Sequence, residues 1–273
     1  MSRSAVVPVA TGDLTGEQAG GRAAGRPRFY REILLIALCY GAYSLVRDLV
    51  PRNHTAALSR GHDILHLERL LHLNVELSIN RLFTDERWLG VSANYYYSSL
   101  HFIITIGVLV WLYVRHADRY VFYRRLIFAT TVLALVGFWL YPLAPPRMIP
   151  GFVDTVLSFH TTGLYESSAS PVASVSNQYA AMPSLHTGWS LWCAIAIADL
   201  ARPSRFRWLA YCYPAATVFV ILGTANHYVL DAIGGVVTLG VGYAATRTVR
   251  VVVPRLGPVS RVFSTDTGGS TVN

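Results

Sequence analysis

The sequence predicts an all-α polytopic membrane protein, a six-transmembrane-helix bundle with an amphipathic helix between spans one and two. Three observations predict it. The 273-residue chain is 53% hydrophobic and only 14% charged, where soluble domains carry about 25% charged residues. Six stretches approach the ~20 apolar residues that a membrane-crossing helix needs. The arginines, which supply all 23 basic residues, gather between alternate stretches. Aromatic and aliphatic content excludes disorder for most of the length, and the Gly, Pro and Cys counts exclude collagen-like and disulfide-scaffold classes.

In chain order, residues 1–28 are Gly/Ala/Arg-rich with no apolar core of a signal peptide, and are expected to form a disordered cytoplasmic tail. Span one covers residues 33–50. Between 55 and 83, Leu58, Leu65, Leu70, Leu73 and Leu77 recur at helical spacing with charges between them. That pattern predicts an amphipathic helix lying on the outer surface or capping the bundle. Spans two and three cover 89–114 and 126–141. The loop from Pro142 to Pro183, rich in Pro, Gly and Ser, is expected to shape a pocket. Spans four, five and six cover 184–200, 208–223 and 228–246, and residues 251–273 form a second cytoplasmic tail. Residues 29–250 are thus the catalytic membrane domain, with the chemistry between 89 and 246. Cys39, Cys193 and Cys212 sit in apolar stretches without CxxC or Cys/His spacing, so they read as small buried hydrophobes.

Orientation follows from the rule that short cytoplasmic loops are enriched in basic residues. With both termini inside, sixteen of the 23 arginines fall on inner segments, and the seven outer ones face nine acids. The net charge of +8 is therefore a consequence of topology, and no nucleic-acid partner is expected. The protein is expected in the cell membrane as a multi-pass chain. Its oligomeric state is not legible.

Three polar clusters interrupt the apolar pattern, all at the expected outer boundary: Tyr141-Pro-Leu-Ala-Pro-Pro-Arg147, Ala181-Met-Pro-Ser-Leu-His186-Thr-Gly and Thr224-Ala-Asn-His227-Tyr-Val-Leu-Asp231. Separate segments converging on one face are what an active site built from a helix bundle requires. His227 and Asp231, four residues apart, share a helix face, where a carboxylate fixes the imidazole tautomer. An oriented histidine acts as a nucleophile or as a base. Pro183 suits the first turn of a helix, and Ser184 then presents backbone N–H groups to an anion. His186, one turn in, suits a proton donor to a leaving oxygen. Arg147 offers a planar fork of donors to phosphate oxygens. Tyr95, Tyr96, Tyr97 and His101 read first as an interfacial aromatic belt and second as a lipid-headgroup contact. His62, His66 and His72 lack a third aligned ligand, and no metal is assigned.

PPR, PSLH and HxxxD in this order, on a six-span hydrophobic chain, resemble the type 2 phosphatidic acid phosphatase superfamily. The forms YPLAPPR and AMPSLHTG are similar to the branch containing inositol phosphorylceramide synthases, which are inositolphosphotransferases. The resemblance covers residues 89–246. It implies a phosphohistidine mechanism without metal or other cofactor. His227 attacks phosphorus, Asp231 orients and charge-stabilises it, His186 protonates the departing alcohol and later activates the acceptor, and Arg147 neutralises phosphate oxygens. The broader family pattern has a Lys before the first motif's Arg and an Arg before the nucleophilic His. This chain has neither, so phosphate binding falls to Arg147, Ser184, backbone amides and Asn226.

The expected activity is an integral membrane lipid phosphotransferase that moves a phospho-headgroup, such as inositol phosphate, at the outer leaflet. Its partners are a membrane phospholipid and a lipid alcohol or water acceptor. Hydrolysis of a phosphatidic acid-like or polyprenyl phosphate shares the first half-reaction and is the alternative. A non-catalytic transporter comes third, because no inverted repeat is visible and the polar residues lie at one boundary rather than at the midplane.

Overall fold

The computed structural model describes residues 27–49, 53–161, 178–201 and 204–252. The expected N-terminal tail up to residue 26, residues 162–177 of the long loop and the expected C-terminal tail from 253 lie outside the described residues. Those described are helical apart from connecting segments, with one isolated bridge between Leu143 and Ala180.

α1 (Phe29–Leu49) is followed by α2 (His54–Leu70), which Asn53 caps by accepting from the Ala56 amide at 3.0 Å. The predicted amphipathic helix does not run on to residue 83. It ends at Leu71, where His72 turns left-handed (φ 56°), and resumes as α3 (Glu76–Asp85). The break lets both halves fold over one end of the bundle, so the capping alternative holds. The charged stripe is only partly solvated, because Glu68, Glu76 and Asn80 are buried.

α4 (Arg87–Tyr95), a π-helical turn (Tyr96–Leu100) and α5 (His101–Arg115) form one continuous rod. Only His116 separates it from α6 (Ala117–Leu140), which begins well before the predicted third span. After a short α7 (Thr155–Phe159) come α8 (Leu185–Leu200), a 3₁₀ segment (Ser204–Tyr211), α9 (Cys212–Gly223) and α10 (Val229–Val252). The predicted fifth span is therefore 3₁₀ in its first part.

Among the described residues, three helical stretches are long and apolar enough to cross a membrane: Arg87–Arg115, Ala117–Leu140 and Val229–Thr248. Their outward faces expose Ile103, Ile106, Val132, Val136, Val236 and Val237. Such an apolar surface suits lipid, not water. α8 and α9, at 16 and 12 residues, are shorter than a bilayer needs. α8 is instead the central helix, with Leu185, Thr187, Gly188, Ser190, Trp192, Cys193, Ala194 and Ala196 all buried. Cys193 meets the sequence expectation, whereas Cys39 is half-buried and Cys212 exposed. Cys212 opens α9, where an apolar neighbourhood in sequence points outward.

Helices in lipid gain little from excluding water and associate through close packing and hydrogen bonds. Gly235 of α10 shows this: a Cβ there would lie 2.4 Å from the Ser184 carbonyl at the start of α8. At the opposite end of the bundle, Arg124 pairs with Glu32 of α1, and Tyr120 donates to the same carboxylate at 2.9 Å. Arg119 pairs with Asp199 at 2.7 Å, and Tyr123 also donates to Asp199. These contacts tie α1, α6 and α8 together at the end far from the three polar clusters.

Candidate active site

The first cluster begins where Pro142, Pro145 and Pro146 stop α6, since proline supplies no N–H to continue a helix. The freed backbone is held by other segments. The amide of Leu143 donates to Tyr179 O at 2.8 Å, that of Ala144 to Ala57 O at 3.2 Å, and that of Arg147 to Ala225 O at 2.8 Å. Ala225 is itself left-handed (φ 52°), a conformation costing a non-glycine residue about 1 kcal/mol. That turn brings the first and third clusters together. The Arg147 guanidinium donates to Asn226 Oδ1 and faces Asp154 at 3.6 Å. Asp154 also caps α7 through the amides of Val156 and Leu157. Its double use is absent from any sequence pattern, because it lies in an irregular loop.

The second cluster starts α8. Ser184 is its N-cap, with Oγ accepting from the Thr187 amide at 3.4 Å, and its own N–H donates to the Asp231 carbonyl at 2.9 Å. Ser184 thus joins two helix starts and does not line the cavity described below. His186 lies in the first turn. Tyr97 stacks on its ring, centroids 4.2 Å apart and planes at 19°, and the His186 side chain hydrogen-bonds the Tyr97 backbone. His186 Nε2 is buried with no hydrogen-bond partner among the described residues. His101 adds a second ring at 4.7 Å and is held by the Tyr213 hydroxyl at 2.9 Å. The belt reading fits Tyr95, which is exposed, but Tyr97 and His101 face inward, because the π turn feeds the rod into the bundle there.

In the third cluster, the expectation that His227 and Asp231 share a helix face is corrected. His227 precedes α10, and Asp231 is its third residue. They meet because Asp231 folds back as a helix cap, accepting from the Tyr228 amide at 3.0 Å and contacting His227 Nδ1 at 3.3 Å through the same Oδ2. Asp231 is fully buried. Asn226 donates to Thr224 Oγ1 at 2.9 Å, which orients its carbonyl toward Arg147. The Tyr228 hydroxyl donates to Ala144 O at 2.8 Å across Gly61, where a Cβ would lie 2.8 Å from that hydroxyl. Only glycine lets α2 approach so closely.

Arg147, His186, Asn226 and His227 line one cavity of about 110 Å³. The His186 and His227 ring centroids are 5.7 Å apart. Its other walls include Tyr40 and Tyr43 of α1, Tyr97, Phe102, Phe138 and Trp189. Tyr43 also borders an apolar groove of about 460 Å³ between α1 and α6, lined by Cys39, Phe128, Val132, Leu135 and Trp139 among others. His62, His66 and His72 are exposed and outside the cavity.

Behind this site stand two residues from the charged stripe of the amphipathic segment. Glu76 Oε1 accepts from the Val229 amide at 3.0 Å and Glu68 Oε1 from the Leu230 amide at 2.8 Å. The first turn of α10 therefore has its free N–H groups satisfied by carboxyls from α2 and α3.

Fold and cavity define a class: a helical protein with membrane-crossing apolar helices and a histidine- and arginine-lined cavity at one end. Within that class, the family model of the PAP2 superfamily matches residues 62–245, two thirds of the chain. The chain belongs to the PAP2 superfamily, whose members are generally phosphatases or phosphotransferases. Neither the curated proteins nor the solved structures returned a match.

Proposed function

We propose that the chain is a lipid phosphotransferase of the multi-pass cell membrane, with a phosphohistidine formed at His227. The observation that carries this reading is the convergence of His227, His186, Arg147 and Asn226 on one cavity. Arg147 and Asn226 hold the phosphate oxygens. His227 Nε2 attacks phosphorus while its Nδ1 faces Asp231, and the bond from phosphorus to the departing alcohol breaks as His186 gives that oxygen a proton. In the second half-reaction His186 takes the proton of an incoming alcohol, whose oxygen displaces His227 from phosphorus. Side chains supply nucleophile, acid and phosphate clamp, so the cycle includes no metal step.

Transfer is favoured over hydrolysis by the aromatic walls and the apolar groove meeting the cavity at Tyr43. They suit a lipid alcohol better than water. An inositol phosphate headgroup rests on the sequence resemblance. The six-span arrangement, the catalytic unit 29–250 with cytoplasmic tails and the outward-facing site belong to the same proposal. They are supported by arginine-rich contacts at the end opposite the cavity.

The test is purified protein in detergent with chelator and phosphatidylinositol labelled in its headgroup phosphate, with and without an added lipid alcohol. Label appearing on the alcohol supports transfer. Free labelled inositol phosphate in equal amount with and without alcohol means hydrolysis, and activity restored only by a divalent ion overturns the metal-free cycle.

A further inference from the structure

Glu68 and Glu76 are fully buried on two different helices, yet both point at the start of α10. Each uses one carboxyl oxygen on a backbone amide. Among the described residues the remaining oxygen of Glu68 finds no donor, and the group beside it is the Glu76 carboxyl. Two carboxyls in contact form a hydrogen bond only if one of them carries a proton. Among the described residues, neither has an ion-pair partner within 4 Å. The titratable groups facing Glu68 are Glu76 from α3 and, at the start of α10, Asp231 and Tyr228. Among the described residues, no ion-pairing cation within 4 Å therefore competes for the contact.

We propose that Glu68 and Glu76 are a carboxyl pair sharing one proton, and that they act as positioning residues which fix the first turn of α10 and with it the Asp231–His227 contact. The catalytic part rests on the function proposed above. The pair does not line the cavity, so it acts only through α10. Glu76 holds Val229 and Glu68 holds Leu230, the two residues immediately before Asp231. Asp231 in turn holds His227 and, through its carbonyl, Ser184 at the start of α8. Loss of the pair would loosen both histidine-bearing segments together. Burial, and then the neighbouring Glu76 carboxyl, push the Glu68 carboxyl well above its ordinary range, as a retained proton requires.

The sign of the pH effect follows. Above the ordinary carboxyl range the unfolded chain releases a proton that the folded chain keeps, so this contribution to stability is full at acid pH and declines as pH rises. Glu68→Gln is neutral at every pH, with an amide oxygen for Leu230 and an N–H for Glu76. Its melting temperature in detergent should rise relative to the wild type between about pH 5 and about pH 8. Glu68→Ala should lower kcat on the order of 10- to 100-fold with KM little changed, the loss expected when a group orienting a functional side chain is removed. Glu68→Gln should restore kcat at neutral pH and extend activity to higher pH than the wild type. A melting difference between Glu68→Gln and wild type that is the same at both pH values overturns the shared proton. Wild-type kcat in Glu68→Ala overturns the positioning role, and if that variant does not fold, failure of Glu68→Gln to extend the alkaline limb does so. Absence of a phosphoenzyme in the wild type would sink the proposed function while leaving the melting result intact.

Discussion

Asp231→Asn separates charge from shape at the centre of the candidate site. The amide is isosteric, and its oxygen still accepts from the Tyr228 amide, so the start of α10 stays capped. On the proposed mechanism, what disappears is the carboxylate charge, 3.3 Å from His227 Nδ1, that balances the ring as it becomes cationic. At an effective dielectric constant of about 20, unit charges at that separation attract by about 5 kcal/mol. When His227 attacks phosphorus its ring becomes cationic, and a ring carrying about half a charge in the transition state loses about 2.5 kcal/mol, or roughly 70-fold in rate. The oxygen that keeps the Tyr228 amide is the one that faces His227 Nδ1, so the tautomer with the proton on Nδ1 is retained and charge alone is lost. The expected loss is therefore about 10². The assay is the single-turnover rate of phosphoenzyme formation with a labelled lipid substrate. The melting temperature serves as a control for folding. A rate within about threefold of wild type, or a loss confined to KM, would refute the electrostatic role assigned to Asp231.

Other substitutions test the remaining parts. His227→Ala should abolish turnover and trapped phosphoenzyme alike. His186→Ala should lose lipid turnover yet recover much of the missing ~10² to 10⁴ on a nitrophenyl phosphate ester, whose leaving group needs no proton; equal loss on both substrates would remove the acid role. Gly235→Ala puts a Cβ 2.4 Å from the Ser184 carbonyl, so it should destabilise by ~1–3 kcal/mol, and an unchanged melting temperature would contradict the close helix crossing. Cysteines at Ser158, near the cavity end, and at Asp118, at the other, should label only at Ser158 from outside intact cells; equal labelling would overturn the proposed orientation.

Much of the site was legible because its residues are polar interruptions in apolar runs. Arg147, His186, Asn226 and His227 stand out against such a background, and the alternation of spans puts their segments at one end. What could not be read depends on tertiary contact. The spacing of His227 and Asp231 suggested a shared helix face, but a helix cap achieves the same meeting with His227 outside the helix. Glu68 and Glu76 looked like the solvated stripe of an amphipathic helix, since periodicity reports that one face is charged and not whether a neighbour covers it. Tyr97 resembled belt tyrosines because a π turn has no reliable sequence signature. Ser184 reads as an anion site from sequence, yet its hydroxyl caps α8 and its amide donates to the Asp231 carbonyl. Span lengths drifted for a related reason: α8 is short in bilayer terms but enclosed by other helices.

The matched region begins at residue 62, after α1 has ended. Even so, Tyr40 and Tyr43 of α1 form part of the cavity wall, and Cys39 and Tyr43 part of the adjoining groove. The chain therefore divides labour along its length. The cavity's histidine and arginine side chains lie in the portion matched by the family model, whereas one side of the chamber comes from α1, outside the match. On the proposed function, substitutions at Tyr40 or Tyr43 are therefore expected to change which lipid the chamber accepts while leaving the histidine and arginine side chains in place.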